Sequence, residues 1–215
     1  MSATRTQAEQ VKDMLLTLYL LNRAAECKYL PARKGVQKLH FLAQKEMRDK
    51  RIKGFSRKFF TYRFGPYSKT LQNDLNALQQ LGFLTHTHKL TQRGKALLAR
   101  YQTILGQPGN SKVISIIDEI VAKFQDYDLR SLVRLVYELQ MIPVGYLPPM
   151  KMKIREMQPY CDLLDPSSED GSEASFAIEE KELESLELSF FWTQEDIKTM
   201  KRHSDATFEE LFADV

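Results

Sequence analysis

The most regularly patterned part of the chain is residues 62 to 98, YRFGPYSKTLQNDLNALQQLGFLTHTHKLTQRGKALL. Ser68 is suited to cap a helix, because its hydroxyl can accept a hydrogen bond from a free backbone N–H of the first turn. Gly82 can end that helix in the left-handed conformation. Between them, leucines recur at helical spacing at positions Leu71, Leu75, Leu78 and Leu81. A short two-stranded wing, FLTHTHKLT, and another helix follow, so this order predicts a winged-helix-like module.

The segment before this stretch predicts two helices and a strand. Residues 7 to 26 show the apolar periodicity of an amphipathic helix. Pro31 separates this helix from a second one, whose expected inward side includes Leu39 and Leu42. The segment FSRKFFTYRF has the aromatic and β-branched content of a strand. We expect its Phe60 and Tyr62 face to be buried, and the Gly65-Pro66 pair to end the strand.

The chain beyond residue 105 predicts more helices and then an acidic tail. Residues 111 to 125 and 128 to 140 have helical periodicity, and DPSSEDGSEAS has the composition of a flexible connector. The fold class is therefore predicted to be mainly α with a small β component: a winged-helix-like domain plus a helical extension. The predicted organisation is a module over 1–105, a helical extension over 106–160, and an acidic, partly flexible tail with short amphipathic helices over 161–215.

Charge is distributed unevenly along the chain. The net charge is +3, but residues from 161 onward carry 16 acidic and 4 basic side chains, which leaves 27 basic and 12 acidic side chains before them. A basic body predicts an anionic partner, or a tail that folds back over the body. The alternative is that both ends are simply solvated. The third possibility for the tail is that it binds a partner.

Composition predicts a cytoplasmic protein without a membrane span. The longest strongly apolar run, Met14 to Leu21, is far shorter than the roughly 20 residues that a span needs. The N-terminus lacks the apolar core of a signal peptide. Cys27 and Cys161 are far apart and have no metal-ligand spacing. A reducing compartment is the simplest interpretation.

Two surfaces are candidates for binding nucleic acid or another anionic partner. Eleven basic residues lie between Lys28 and Lys58 against only two acidic ones. The members of this basic surface most suited to contact the partner are Lys45, Lys50, Arg51 and Lys53. The second surface is the polar face of the helix after Ser68, where amide side chains could pair with adenine and a lysine could neutralise phosphate. Its candidate residues are Lys69, Gln72, Asn73 and Asn76. The alternative is that these amides only form the solvated face of a surface helix.

The sequence offers no catalytic or cofactor-binding constellation. The histidines are His40, His86, His88 and His203, and no third ligand of fixed spacing accompanies the His86–His88 pair. We find no phosphate-cradling glycine loop and no serine nucleophile elbow. The expectation is a protein that is not an enzyme and needs no cofactor or metal.

An aromatic cluster near the C-terminus is a candidate for protein binding. Phe190, Phe191 and Trp192 follow the acidic connector in otherwise polar surroundings. A few aromatic side chains can supply most of the energy of a protein interface. Two interpretations stay open: the cluster binds a partner groove, or it docks on the chain's own helical body.

Several segments together resemble the Panacea (SocA-like) antitoxin family and its YwgA-type relatives. They are VQKLHFLAQKE, FFTYRFGPYSKTLQNDLNALQQLGFL and HKLTQRGKALL, and the resemblance covers roughly residues 8 to 105. It implies a small, mainly helical module without catalytic residues. In antitoxin members such a module binds a toxin that is encoded alongside. The expected function is therefore a regulatory, antitoxin-like protein that acts by protein–protein interaction. The alternative is a winged-helix transcriptional regulator that binds DNA.

Overall fold

The structure, a computed structural model, describes residues 5–27, 33–166 and 172–191. Among these residues, 59% are helical and 11% lie in strands, which confirms a mainly α fold with a small β component. The contacts within the chain define two units, Met1–Ile178 and Glu179–Val215. The second unit contributes one described helix, Glu180–Phe191. The candidate residue Trp192 lies outside the described residues.

Seven α-helices make up most of the described part of the first unit. In chain order they are α1 (Gln7–Arg23), α2 (Arg33–Asp49), α3 (Lys69–Gln80), α4 (Gln92–Arg100), α5 (Gln102–Leu105), α6 (Ser111–Phe124) and α7 (Leu129–Glu138). The helix of the second unit is α8. The bounds predicted for the first helix, for α6 and for α7 agree with the structure to within a few residues. Helix α2 contacts both α6 and α7, which places the predicted helical extension on the module itself.

In the described part of the first unit, short strands form three small sheets. They are β1 (Ile52–Lys53), β2 (Phe59–Tyr62), β3 (Gly65–Tyr67), β4 (Gln140–Met141), β5 (Met152–Lys153), β6 (Asp162–Leu164) and β7 (Ala174–Ser175). The largest sheet has the order β3–β2–β6 and is antiparallel, β4 pairs antiparallel with β5, and β1 pairs parallel with β7.

The strand pairing crosses the domain boundary predicted at residue 160. Strands β6 and β7 lie in the segment that was assigned to the acidic tail, yet they pair with β2 and β1 of the module. Their backbone N–H and C=O groups find partners there, which buried or half-buried backbone requires. The acidic composition hid this, because pairing depends on the backbone and not on side-chain charge.

A tight hairpin replaces the single strand predicted from residue 59 to residue 64. The chain turns at Arg63 and Phe64, and Gly65 then begins β3 opposite Tyr62. Gly65 has φ +84°, a left-handed conformation that glycine adopts without steric cost. Pro66 lies in an edge strand, where its missing N–H leaves no sheet hydrogen bond unmade. The Gly-Pro pair therefore starts a strand instead of ending one.

The buried face of β2 is the opposite of the predicted one. Phe59 and Thr61 are buried, whereas Phe60 is half-buried and Tyr62 is 38% exposed. The ring of Phe59 packs edge-on against Phe41 of α2, with ring centroids 5.5 Å apart. Alternation shows which residues share a face of a strand, but it does not show which face meets the core.

The predicted helical core is present. Leu39, Leu42, Leu71, Leu75 and Leu78 are all buried, which confirms the register proposed for α2 and α3. The hydroxyl of Ser68 accepts a hydrogen bond from the backbone N–H of Leu71, and Gly82 has φ +73°. The wing after α3 is reduced to one bridge, between Leu84 and a half-buried Leu90.

A buried ion network joins α1, α3 and the segment before β2. Arg57, Asp13 and Asp74 have fully buried side chains. The Arg57 Nη2 donates to Asp74 at 3.0 Å and to the Thr17 hydroxyl at 2.6 Å. The guanidinium of Arg5, only 12% exposed, donates to both carboxylates. Arg57 therefore belongs to the interior, although its position among eleven basic residues suggested a surface cation.

Candidate functional site

The four candidate cations of the predicted basic surface are neutralised by the chain's own carboxylates. Each of them lies within 4 Å of an acidic side chain: Lys45 pairs with Asp49, Lys50 with Glu46 and Glu119, Arg51 with Glu173, and Lys53 with Glu9. Glu9, Glu119 and Glu173 come from distant parts of the chain. The two acidic residues between Lys28 and Lys58 are therefore fewer than the carboxylates that neutralise these cations. These four residues offer little uncompensated positive charge to a partner.

The polar face of α3 borders a cleft of about 560 Å³. Lys69, Asn73 and Asn76 are exposed on it, whereas Gln72 is buried. The Gln72 amide donates to Asn76 at 2.9 Å and accepts a hydrogen bond from Arg33. The loop after α3 forms the other wall of the cleft, which is lined by Arg33, Gln72, Asn76, Gln79, His86, Thr87 and His88. Three of the four candidate residues on α3 are thus accessible.

The C-terminal aromatic residues differ in exposure. Phe190 is 3% exposed and Phe191 is 38% exposed, both at the end of α8. Trp192 lies beyond the described residues. Partner binding by this cluster therefore stays a prediction. Of its two described side chains, Phe191 is the more exposed.

Two aromatic side chains that the sequence assigned to the core, Phe60 and Tyr62, join three others in a partly exposed surface around the β2–β3 hairpin. Tyr62 is 38% exposed, Phe64 50% and Tyr160 68%. Neighbouring rings lie 5.4 to 6.3 Å apart and connect Phe60, Tyr62, Tyr67 and Tyr160 into one cluster. We call Phe60, Tyr62, Phe64, Tyr67 and Tyr160 the aromatic surface. Large apolar groups that stay exposed together commonly mark interaction sites.

Backbone contacts hold Tyr160 against the hairpin. Its N–H donates to the carbonyl of Thr61 at 2.7 Å, and the N–H of Cys161 donates to the Thr61 hydroxyl at 2.8 Å. Tyr160 has φ +65°, which is uncommon for a residue other than glycine. Residues 100 positions apart in sequence are thus brought into one surface by the pairing of β2 with the segment that leads into β6.

A cavity of about 440 Å³ adjoins the aromatic surface. Tyr62 and Tyr160 line one part of it, and Arg63, Tyr137 and Arg155 line another. The Tyr137 hydroxyl donates to the Arg63 carbonyl at 3.1 Å, which ties α7 to the hairpin turn. The cavity therefore combines aromatic faces with two guanidinium groups.

Three cations surround the hairpin turn without a carboxylate partner among the described residues. The ammonium of Lys34 lies 3.5 Å above the ring of Phe64, and Arg63 is exposed in the turn itself. Lys38 is buried behind the turn, where its ammonium donates to the Pro66 carbonyl at 2.8 Å. Burial, together with the nearby charge of Lys34, lowers the pKa of Lys38 to about 8. We call Lys34, Lys38 and Arg63 the turn cations.

Sequence reasoning counted two of the turn cations but missed their role. Lys34 and Lys38 belonged to the basic run, and nothing in that run showed that they lack the acidic partners that Lys45, Lys50, Arg51 and Lys53 have. Arg63 was assigned to one face of a strand. The position of Arg63-Phe64 directly before Gly-Pro could have indicated a hairpin turn. Glycine, which adopts positive φ easily, often follows such a turn.

The described residues contain no group of three or more His, Cys, Asp or Glu side chains placed to hold a metal ion. His40 is buried, and burial, with the charge of Arg57, keeps its pKa well below the usual value. Among the helices of the described ranges, none is both long and apolar enough to cross a membrane. Comparisons of the chain with protein-family models, with curated proteins and with solved structures found no match.

Proposed function

We propose that this chain is a non-catalytic regulatory protein of the antitoxin-like kind, which binds a partner protein, such as a toxin, through the aromatic surface. The observation that carries the proposal is the joint exposure of Tyr62, Phe64 and Tyr160. Protein interfaces are enriched in tyrosine, phenylalanine and arginine relative to the rest of the surface. The proposed setting is the cytoplasm, as the two widely spaced cysteines predict.

The aromatic surface is suited to binding because it is already ordered. Ring contacts hold Tyr62 between Tyr67 and Tyr160, so these side chains have little conformational freedom left to lose. Immobilising side chains at an interface costs roughly 0.5–1.5 kcal/mol each when they are free beforehand. Centrally placed aromatic residues with pre-set positions are typical of the few that dominate binding energy.

The resemblance to Panacea-type antitoxins supports the same function. The segment FFTYRFGPY, which contributes to that resemblance, supplies four of the five residues of the aromatic surface: Phe60, Tyr62, Phe64 and Tyr67. A family whose members bind toxins would thus carry part of its recognisable sequence on an exposed hairpin.

The test is co-purification with the product of a neighbouring gene. The full chain is co-expressed with that product, and a variant with Tyr62→Ala and Tyr160→Ala is compared with it. We expect the variant to lose at least tenfold in affinity and to lose protection against growth arrest by the product. Tyr146→Ala is the matched control, since Tyr146 is 47% exposed and outside the aromatic surface. Equal binding by the double variant and the control contradicts the proposal.

DNA binding by α3 is the second candidate function. The specific observation is that Lys69, Asn73 and Asn76 are exposed at helical spacing beside the cleft. Such a surface predicts affinity for duplex DNA that falls steeply with salt. A variant with Asn73→Ala and Asn76→Ala should then lose sequence preference, while Lys50→Ala should not. Salt-independent or undetectable binding to duplex DNA rejects this function.

A further inference from the structure

We propose that the aromatic surface takes an acidic segment of a protein partner, with a carboxylate of that segment placed at the hairpin turn between Lys34 and Arg63. This inference deepens the proposed function and rests on it. It names the chemistry of the partner: carboxylates interspersed with aromatic or aliphatic side chains. The carboxylates would meet the turn cations, and the apolar side chains would pack on Tyr62 and Tyr160.

Charge complementarity is the first reason. The described part of the chain provides carboxylate partners for Lys45, Lys50 and Lys53, but not for Lys34 or Arg63. A cation without an internal partner is available for a charge-assisted hydrogen bond, which is about twice as strong as a neutral one. Arginine can also hold a carboxylate with two parallel N–H donors.

The position of the cations beside aromatic rings is the second reason. The Lys34 ammonium already lies on the face of Phe64, so an incoming carboxylate would meet a cation that is held beside an aromatic ring. Lys38 adds a third positive charge behind the turn, with its ammonium bound only to a backbone carbonyl among the described residues. Burial shields Lys38 from water, which strengthens its attraction for a carboxylate relative to that of an exposed cation.

The surface favours a peptide over a nucleic acid. Lys34 covers one face of the Phe64 ring, which leaves less of this ring for a base to stack on. On the other side of the adjoining cavity, Arg155 is paired with Glu138 at 2.6 Å and lies near Glu156. A continuous phosphate backbone would have to pass these two carboxylates. An acidic peptide can instead place its few charges at the turn.

The experiment measures the binding of designed peptides to the full chain by fluorescence anisotropy. The probe is a labelled 12-residue peptide that alternates Asp or Glu with Phe or Leu, and its matched control has Asn and Gln at the acidic positions. We expect the acidic peptide to bind at least tenfold more tightly than the amide peptide. Lys34→Gln combined with Arg63→Gln should remove that difference. Lys50→Gln combined with Arg51→Gln, which changes two paired cations on the basic surface, should leave affinity within twofold.

Three outcomes overturn the inference. They are equal affinity for the acidic and amide peptides, equal loss from the two double variants, and tighter binding of an oligodeoxythymidine of the same length than of the acidic peptide. Lys34 and Arg63 are exposed, so thermal melting should show that their variants fold normally. If the acidic peptide fails while Tyr62→Ala with Tyr160→Ala still abolishes partner binding, the acidic chemistry is wrong and the proposed function stands.

Discussion

The basic surface on α2 and β1 and the hairpin turn between β2 and β3 are both rich in cations, yet they differ in what the cations contact. At the basic surface, Lys45, Lys50, Arg51 and Lys53 each pair with an acidic side chain. At the turn, Lys34 contacts an aromatic ring and Lys38 a backbone carbonyl. The number of charges in a segment therefore does not determine the charge that a partner meets. That charge depends on where the opposite charges lie in the folded chain.

The largest effect is expected from a cation that belongs to neither surface. Arg57→Ala should lower the free energy of unfolding by roughly 3–5 kcal/mol, because it leaves the buried carboxylates of Asp13 and Asp74 with Arg5 as their one remaining cationic partner in the described network. Urea denaturation of the variant measures this loss. A loss below 1 kcal/mol would show that water reaches the network.

The buried Lys38 predicts that the stability of the fold depends on pH. Its pKa of about 8 in the folded chain lies below the ordinary 10.5, so between these values the unfolded chain binds more protons than the folded one. Stability contributed by this site therefore rises with pH across that window, by up to about 3 kcal/mol. In Lys38→Met this rise should be missing, whereas Lys50→Met should retain it. Parallel pH profiles of wild type and Lys38→Met, obtained by urea denaturation, would contradict the assignment.

Gly65 tests whether the hairpin turn depends on a left-handed backbone conformation. Gly65→Val should cost roughly 1–3 kcal/mol, because a β-branched residue resists φ +84°. Crowding adds little, since an added Cβ would lie 3.7 Å from Lys38. Thermal melting measures the loss, and Gly109→Ala, at a site with open space, is the control. An unchanged melting temperature would show that the turn tolerates another backbone conformation.

The smallest effect is expected at the basic surface. Lys50→Ala should change the free energy of unfolding by about 1 kcal/mol or less, because exposed ion pairs contribute little. Its pairs with Glu46 and Glu119 join side chains that are between 39% and 59% exposed. A urea denaturation midpoint far below that of wild type would mean that this surface is structural and not merely solvated.

The helices and their ends could be predicted because they depend on residues close together in the sequence. Helical leucine spacing, the Ser68 cap and the Gly82 ending depend on residues within a few positions, and the structure confirms them. The β2–β3 hairpin was predicted as one strand, because strand propensity does not specify where a chain reverses. Three of the four candidate residues on α3 proved accessible, but Gln72 did not.

The mainly helical fold, the uneven charge and the aromatic character of the hairpin segment follow from the amino-acid sequence, since composition and periodicity act within each segment. Which cations are neutralised and which face of β2 is buried depend on how the folded chain packs. Both outcomes depend on contacts between distant residues, such as Lys53 with Glu9 and Thr61 with Tyr160. Pairing energy depends on the distance and shielding between groups, and a linear count of residues contains neither.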